Sequence, residues 1–153
     1  MDFMKIAIAQ AYKGIRKKQG GPFGAVIVKK GKIIAQAHNT VLLTNDPTAH
    51  AEINAIRKAS RKLKKFDLSD CEIYSNCEPC PMCFSAIHWA QIKTIYYGAT
   101  LKDSTKAGFN ELAITDEQLK KMSKSKVRLV KNVSKEESTA PFKEYAKNRG
   151  KKY

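Results

Sequence analysis

The sequence predicts an α/β domain, a three-layer α-β-α sandwich built on five strands. Three observations predict it. Apolar residues recur at helical spacing in some stretches and as short β-branched runs in others, the two kinds alternate along the chain, and no repeat or linker divides it. With 153 residues, 42% hydrophobic and 28% charged, the chain has the make-up of one ordinary domain over 1–153. A domain of that size needs no disulfides to hold a core.

The elements follow in order. Phe3, Ile6, Ala7, Gln10, Ala11 and Ile15 mark one stripe of a first helix that ends at "QGGPFG". "FGAVIVKKGKIIAQAH" reads as two strands turning at Lys30-Gly31, with Val26, Ile27 and Val28 in the core. The loop "NTVLLTNDPT" leads to a helix of about fifteen residues, with Ile53, Ile56, Ala59 and Leu63 inward and Asp46 or Thr48 as its cap. "CEIYS" is a strand, "PCPMCFSAIHWAQ" a helix and "KTIYYGAT" another strand. A capping box over Thr115-Asp116-Glu117-Gln118 opens a short helix before the strand "KVRLV", and a last helix is expected from about Pro141.

Composition narrows the function classes. No apolar run approaches the roughly 20 residues of a membrane helix, so no membrane partner is expected. The start, broken by Lys5, Gln10 and Lys13, does not read as a signal peptide, and the chain is placed in the cytoplasm. Thiols stay reduced there, and clustered cysteines more often mean metal or catalysis than disulfides. A net charge of +15 attracts polyanions such as RNA. Most of the cations are lysines, however, and no run interleaves aromatics with arginines, so nucleic acid ranks below a small molecule as partner.

Two stretches carry the chemistry: "TAHAEINAIRKA" from Thr48 and "SNCEPCPMC" from Ser75. His50 and Glu52 lie two apart, a spacing that converges only near a helix start. Cys80 and Cys83, three apart, share one helical face, and Pro81 suits a first helical position. Two helix N-termini can therefore meet at one point, where their dipoles stabilise thiolates. One imidazole and two thiolates leave a tetrahedral corner open, the pattern of a catalytic zinc. Water at that corner is acidified from a pKa near 16 towards roughly 7, and Glu52 is then the proton carrier. Rival readings are a redox pair, half of a zinc knuckle, or an iron–sulfur run over Cys77, Cys80 and Cys83, although the completing x₃-C-P is absent. Cys71 is expected as a buried small hydrophobe and Cys77 as structural, and His38 and His88 have no spaced partners.

H-x-E followed by P-C-x-x-C is the signature of zinc nucleobase deaminases. With His50-Ala51-Glu52 and Pro79-Cys80-Pro81-Met82-Cys83 at those motifs, the chain resembles the cytidine and deoxycytidylate deaminase superfamily. Within it the chain is most similar to the bacterial guanine deaminases, through "GGPFGAVIVK", "NDPTAHAE", "CEPCPMC", "AIHWA", "AGF" and the ending "PFKEYAKNRGKKY". The resemblance implies a cytidine deaminase-like fold with a central mixed five-stranded sheet. It implies one Zn2+ per chain on His50, Cys80 and Cys83, with Glu52 moving protons. It places Asn39 on the edge of the base, Ala51 among the substrate contacts, Phe23 and Trp89 as aromatic walls, and Tyr153 in a C-terminal lid. Glu111 falls where the family has an Asp that accepts from guanine, because "GFNE" stands for "GFDD".

The activity implied is hydrolytic deamination of a nucleobase substrate, guanine to xanthine plus ammonia. The alternatives are a tRNA adenosine deaminase, whose "AGAMIHSR"-like stretch is replaced here by "FSAIHWA", and a deaminase of cytosine or another nucleoside. A non-enzymatic metal-binding module is the remaining reading. The family also implies a homodimer, with a C-terminal segment of about 130–153 exchanged between subunits.

Overall fold

Period-two alternation sorts the first strand. The computed structural model describes residues 1–153, and in β1 (Gly24–Lys29) Ala25 and Ile27 join one core cluster while Val26 and Val28 join another on the opposite face. A strand buried on both faces needs helices on both sides. On the Val26 side lies α1 (Phe3–Arg16), packed through Met4, Ala7 and Ile8. On the Ala25 side lie α3 (Ala51–Leu63) and α4 (Pro81–Trp89).

The sheet has the order β2-β1-β3-β4-β5. β1 and β2 (Lys32–His38) form an antiparallel hairpin, and β1 is also antiparallel to β3 (Glu72–Cys77). β3, β4 (Thr94–Ala99) and β5 (Arg128–Val130) run parallel, so the five-stranded sheet is mixed. The hairpin turns where expected, with Lys30 at φ 47° and Gly31 at φ 71°, the two left-handed residues of a type I′ turn.

Several expectations are corrected. One turn of helix, α2 (Val41–Thr44), lies inside the predicted loop, and α5 (Leu101–Lys106) was not foreseen although Thr100 and Asp103 make a full capping box. The stripe that α3 buries is Ala51, Ala55 and Ala59, one residue every turn, while Ile56 and Leu63 pack only at its margin. Small side chains let that helix lie close to the sheet. The box at Thr115 does open α6 (Asp116–Ser123).

The last helix, α7, spans Lys135–Lys147 and so begins before Pro141, which lies inside it. Tertiary bonds set that start. Ser138 is fully buried, its hydroxyl donates to the Val133 carbonyl at 3.2 Å, and its own carbonyl accepts from the Asn76 amide at 3.2 Å. Gly98 of β4 makes the approach possible, because a Cβ there would stand 1.9 Å from the Ser138 hydroxyl. Helix α7 and the residues after it pack on the same chain, where Phe142 and Tyr145 join Ile15, Cys77, Ala99 and Phe109. No helix is long and apolar enough to cross a membrane.

Candidate zinc and nucleobase site

Neither α3 nor α4 is capped in the ordinary way. The N-cap of α3 is His50 and that of α4 is Cys80, both in extended backbone and neither making a side-chain cap bond. Expected as the cap of α3, Asp46 instead accepts from the Thr48 amide and hydroxyl, at 2.8 and 2.7 Å, and shapes the preceding turn. The cap positions therefore aim an imidazole and a thiol outward, with Cys83 one turn on and Pro81 at the first helical position.

These side chains meet. The ligand atoms of His50, Cys80 and Cys83 lie within 4.8 Å of one another, with His50 Nδ1 at 3.6 Å from both sulfurs. All four cysteines are free thiols. Two soft sulfurs and one imidazole at tetrahedral spacing fit zinc. A hydrogen bond from Cys83 and the neighbouring His50 hold Cys80 below the ordinary thiol range, while Cys83 is pushed up, first by its partner Cys80 and then by burial. Burial opposes the His50 imidazolium, but Cys80 and the carboxylates of Glu52 and Glu111 outweigh it and raise that ring.

Glu52 closes the set. It is buried, one of its oxygens accepts from the Ser75 hydroxyl at 2.9 Å, and the other faces Cys83 Sγ at 3.4 Å. Burial lifts its carboxyl above the ordinary range, against the opposing pulls of His50 and Ser75. A buried carboxylate that takes protons readily and stands beside the donors without belonging to them is equipped for proton transfer.

A cavity of about 270 Å³ runs up to these groups, with His50, Glu52, Glu78 and Cys80 on its polar side. Phe23, Pro47, Phe109, Asn110, Glu111 and Tyr153 complete its walls. Four larger hollows, of about 420, 600, 460 and 530 Å³, contain none of the three metal donors. Tyr153 is held at the wall of the site cavity by three bonds. Tyr153 donates its hydroxyl to Asn39 Oδ1 at 2.7 Å and accepts from the Gly21 amide at 2.8 Å, while its carbonyl accepts from the Asn110 amide at 3.1 Å.

These bonds narrow what Asn39 can do. Its oxygen already serves Tyr153 and the Val41 amide, at 2.7 and 3.0 Å, which leaves only its NH₂ unbonded, and the residue is 1% exposed and is not among those that line the cavity. Glu111 sits in the wall, where the Ser104 hydroxyl bonds one of its oxygens at 2.8 Å and burial lifts its carboxyl above the ordinary range. Phe23 stacks edge-on to Phe109 at 5.0 Å and lines the cavity. Ala51 is fully buried in the core under α3, and its side chain does not line the cavity.

Trp89 is not brought to the cavity. At the end of α4 it is 78% exposed, which fits neither a wall within this chain nor core packing. The remaining histidines behave as expected: His38 bonds Gln19 at 2.6 Å and is lowered to about 4, chiefly by burial, and His88 is exposed. Cys71 and Cys77 are buried, and burial raises the Cys77 thiol well above its ordinary range, the signature of an inert sulfur.

The first 99 residues match the model of the cytidine and deoxycytidylate deaminase zinc-binding region. The chain belongs to this deaminase family. It is 51% identical to the guanine deaminase of Bacillus subtilis (strain 168) over 115 residues, 75% of this chain and 74% of that one. The solved structure of the guanine deaminase from Bacillus subtilis superposes with a TM-score of 0.70 at 52% identity, covering 71% of this chain and 69% of the other. The guanine deaminase of Nitrosomonas europaea, 27% identical, superposes with a TM-score of 0.86 over 94% of this chain and 82% of its own. A tRNA-specific adenosine deaminase of Aquifex aeolicus (strain VF5) is 43% identical over 97 residues, 63% of this chain and 64% of that one. As a family member the chain is a zinc-dependent hydrolytic deaminase, and His50, Cys80 and Cys83 form its candidate zinc site.

Some site residues were not singled out from sequence. Glu78 lines the cavity, with one oxygen accepting from the Leu101 amide at 2.8 Å and the other from the Asp116 amide at 2.9 Å. Ser75 follows Ile73 by two on β3, so period-two alternation alone would have put its hydroxyl on the α3 face. Ser104 carried no such signal, since its bond to Glu111 depends on an unforeseen helix.

Proposed function

We propose that the chain hydrolyses guanine to xanthine and ammonia. The observation that carries this reading is the meeting of His50, Cys80 and Cys83 with Glu52 at the inner end of a base-sized cavity. Similarity to guanine deaminases from two organisms supports the choice of base.

The residues divide the work. Zinc bound at His50, Cys80 and Cys83 supplies the Lewis acidity that makes water a usable nucleophile near neutral pH. On the oxygen that faces Cys83, Glu52 takes one proton from the attacking water and delivers it to the ring nitrogen, then takes the second from the hydroxyl added at the carbon and gives it to the amino group, which leaves as ammonia. Asn39 donates from its NH₂ to an acceptor on the base, and the free oxygen of Glu111 accepts from ring N–H groups. Glu111 reaches one methylene further than an Asp would, and its Ser104 bond draws that extra length into the wall. Phe23, Phe109 and Tyr153 enclose the ring and exclude bulk water.

Pairing into a homodimer is part of the proposal. Asn132 at φ 59° and Ser134 at φ 47° lie in left-handed backbone just before α7, and a strained hinge there favours exchange of the C-terminal segment between copies. A role for Trp89 at a base requires such a partner, because its own cavity does not include it.

Adenosine deamination in tRNA is the second reading, favoured by the +15 charge and the tRNA-specific relatives. Against it, Tyr153 holds Asn39 and Gly21 across the cavity mouth and leaves Asn39 only 1% exposed, an enclosure suited to a free base. The experiment is ammonia release from free guanine, adenine, cytosine, their nucleosides and a tRNA stem-loop. Guanine is expected to be the preferred substrate. Glu52→Ala should lose about 10²- to 10⁴-fold in turnover with one zinc still bound, and unchanged turnover removes Glu52 from the reaction.

A further inference from the structure

Both carboxylates offered to the substrate are held in the same way. Glu52 Oε1 accepts from Ser75 Oγ at 2.9 Å, and Glu111 Oε1 accepts from Ser104 Oγ at 2.8 Å. Both serines are fully buried, at 0% exposure, on elements that belong to neither acid: Ser75 on β3, Ser104 on α5. In each case a buried wall hydroxyl fixes one oxygen. For Glu52 the remaining oxygen stands 3.4 Å from Cys83, at the metal donors. For Glu111 it belongs to a side chain lining the cavity.

We propose that Ser75 and Ser104 are positioning residues with separate duties: Ser75 sets Glu52 for proton transfer, and Ser104 sets Glu111 for holding the base. The inference rests on the deaminase reading above. Its physical basis is rotamer restriction. A glutamate has three side-chain torsions, and a single charge-assisted bond from a rigid buried hydroxyl selects one arrangement. Losing a bond to Glu52 misplaces a group that acts in the transition state, whereas losing one to Glu111 weakens ground-state and transition-state binding alike. The two serines therefore separate in kinetics although their geometry is the same.

The test uses zinc-loaded full-length Ser75→Ala and Ser104→Ala, with zinc content and thermal midpoint recorded for each. Ser75→Ala is expected to lower kcat on guanine by about 10- to 100-fold with KM within about twofold. Ser104→Ala is expected to raise KM by about 10- to 100-fold with kcat within about threefold. Ser75→Thr, which keeps a hydroxyl in a conformation that strands favour, should restore kcat.

A readout without turnover comes from placing Ser104→Ala in a Glu52→Ala background and measuring guanine binding by calorimetry. Affinity should fall relative to Glu52→Ala alone. Variants that lose zinc or melt early while changing kcat and KM together, or that keep wild-type kinetics, overturn the proposal. So does unchanged guanine affinity in the calorimetric pair. A wild-type protein that releases no ammonia from guanine sinks the underlying reading instead, and the two failures are distinct.

Discussion

Asp116 is fully buried at the first position of α6, and neither of its carboxylate oxygens has a hydrogen-bond partner. Burial, reinforced by the nearby Glu78, raises its carboxyl to about 9 from an ordinary 3.8. The unfolded chain gives up this proton near pH 4, while the folded chain keeps it until about pH 9. Between those limits the unfolded state binds fewer protons, so this residue makes stability fall as pH rises, with no further loss above about 9. Asp116→Asn keeps the shape and removes the titration. The zinc-loaded variant should melt above wild type at pH 8 to 9, and the gap should close towards pH 4 to 5; parallel melting curves across that range would show that Asp116 does not titrate as argued. Glu52, a few ångströms from the metal donors, and Asp116, whose amide bonds Glu78, thus share one cause, burial, but of the two only Glu52 has a donor hydroxyl and a place in the cavity wall to turn it into proton chemistry.

At the scale of elements, contact between helix and strand decides where the chain end goes. Gly98 admits α7 to the sheet, and α7 leads to the residues that place Tyr153 over Asn39. A Cβ at position 98 would also meet the Val133 carbonyl at 2.6 Å, a backbone atom that cannot rotate away. Gly98→Ala should therefore cost about 1–3 kcal/mol by denaturant melting and raise KM for guanine as the Tyr153 closure loosens. Wild-type stability with unchanged KM would mean that α7 is not seated through this contact. The elements also show what the sequence could disclose. Strands, the Lys30-Gly31 turn, the Thr115 box and Pro81 were legible because each is a local signal, and the His50, Glu52, Cys80 and Cys83 cluster was legible because helix-start spacing permits it and the H-x-E and P-C-x-x-C signature names it. The true start of α7 was not, since Pro141 advertises a local beginning, whereas the bond from Asn76 of β3 to Ser138 anchors the turn before it from across the fold. Trp89 was set at the base by the family resemblance, and its 78% exposure shows only that no surface of its own chain covers it.

For the whole molecule, the net charge of +15 and the site have opposite character. The cavity wall carries Glu52, Glu78 and Glu111 and no lysine or arginine, so the field that draws polyanions to the surface does not continue into the site. Guanine is neutral near pH 7 and gains nothing from the surface field. Its turnover should change less than about twofold between 50 and 500 mM salt, because no counterions are released when it binds. A nucleic-acid substrate behaves otherwise, since each phosphate neutralised adds to the salt slope, and a site using 6 to 10 of them loses about 10³- to 10⁵-fold in affinity from 50 to 200 mM. The lysine-rich surface is expected to retain RNA weakly at low salt and release it by 200 mM, without deaminating it. The deciding measurement is ammonia release from guanine and from a tRNA stem-loop across one salt series. Steeply salt-dependent turnover of the stem-loop, with none on guanine, would make the basic surface part of the active enzyme and replace the free base as substrate.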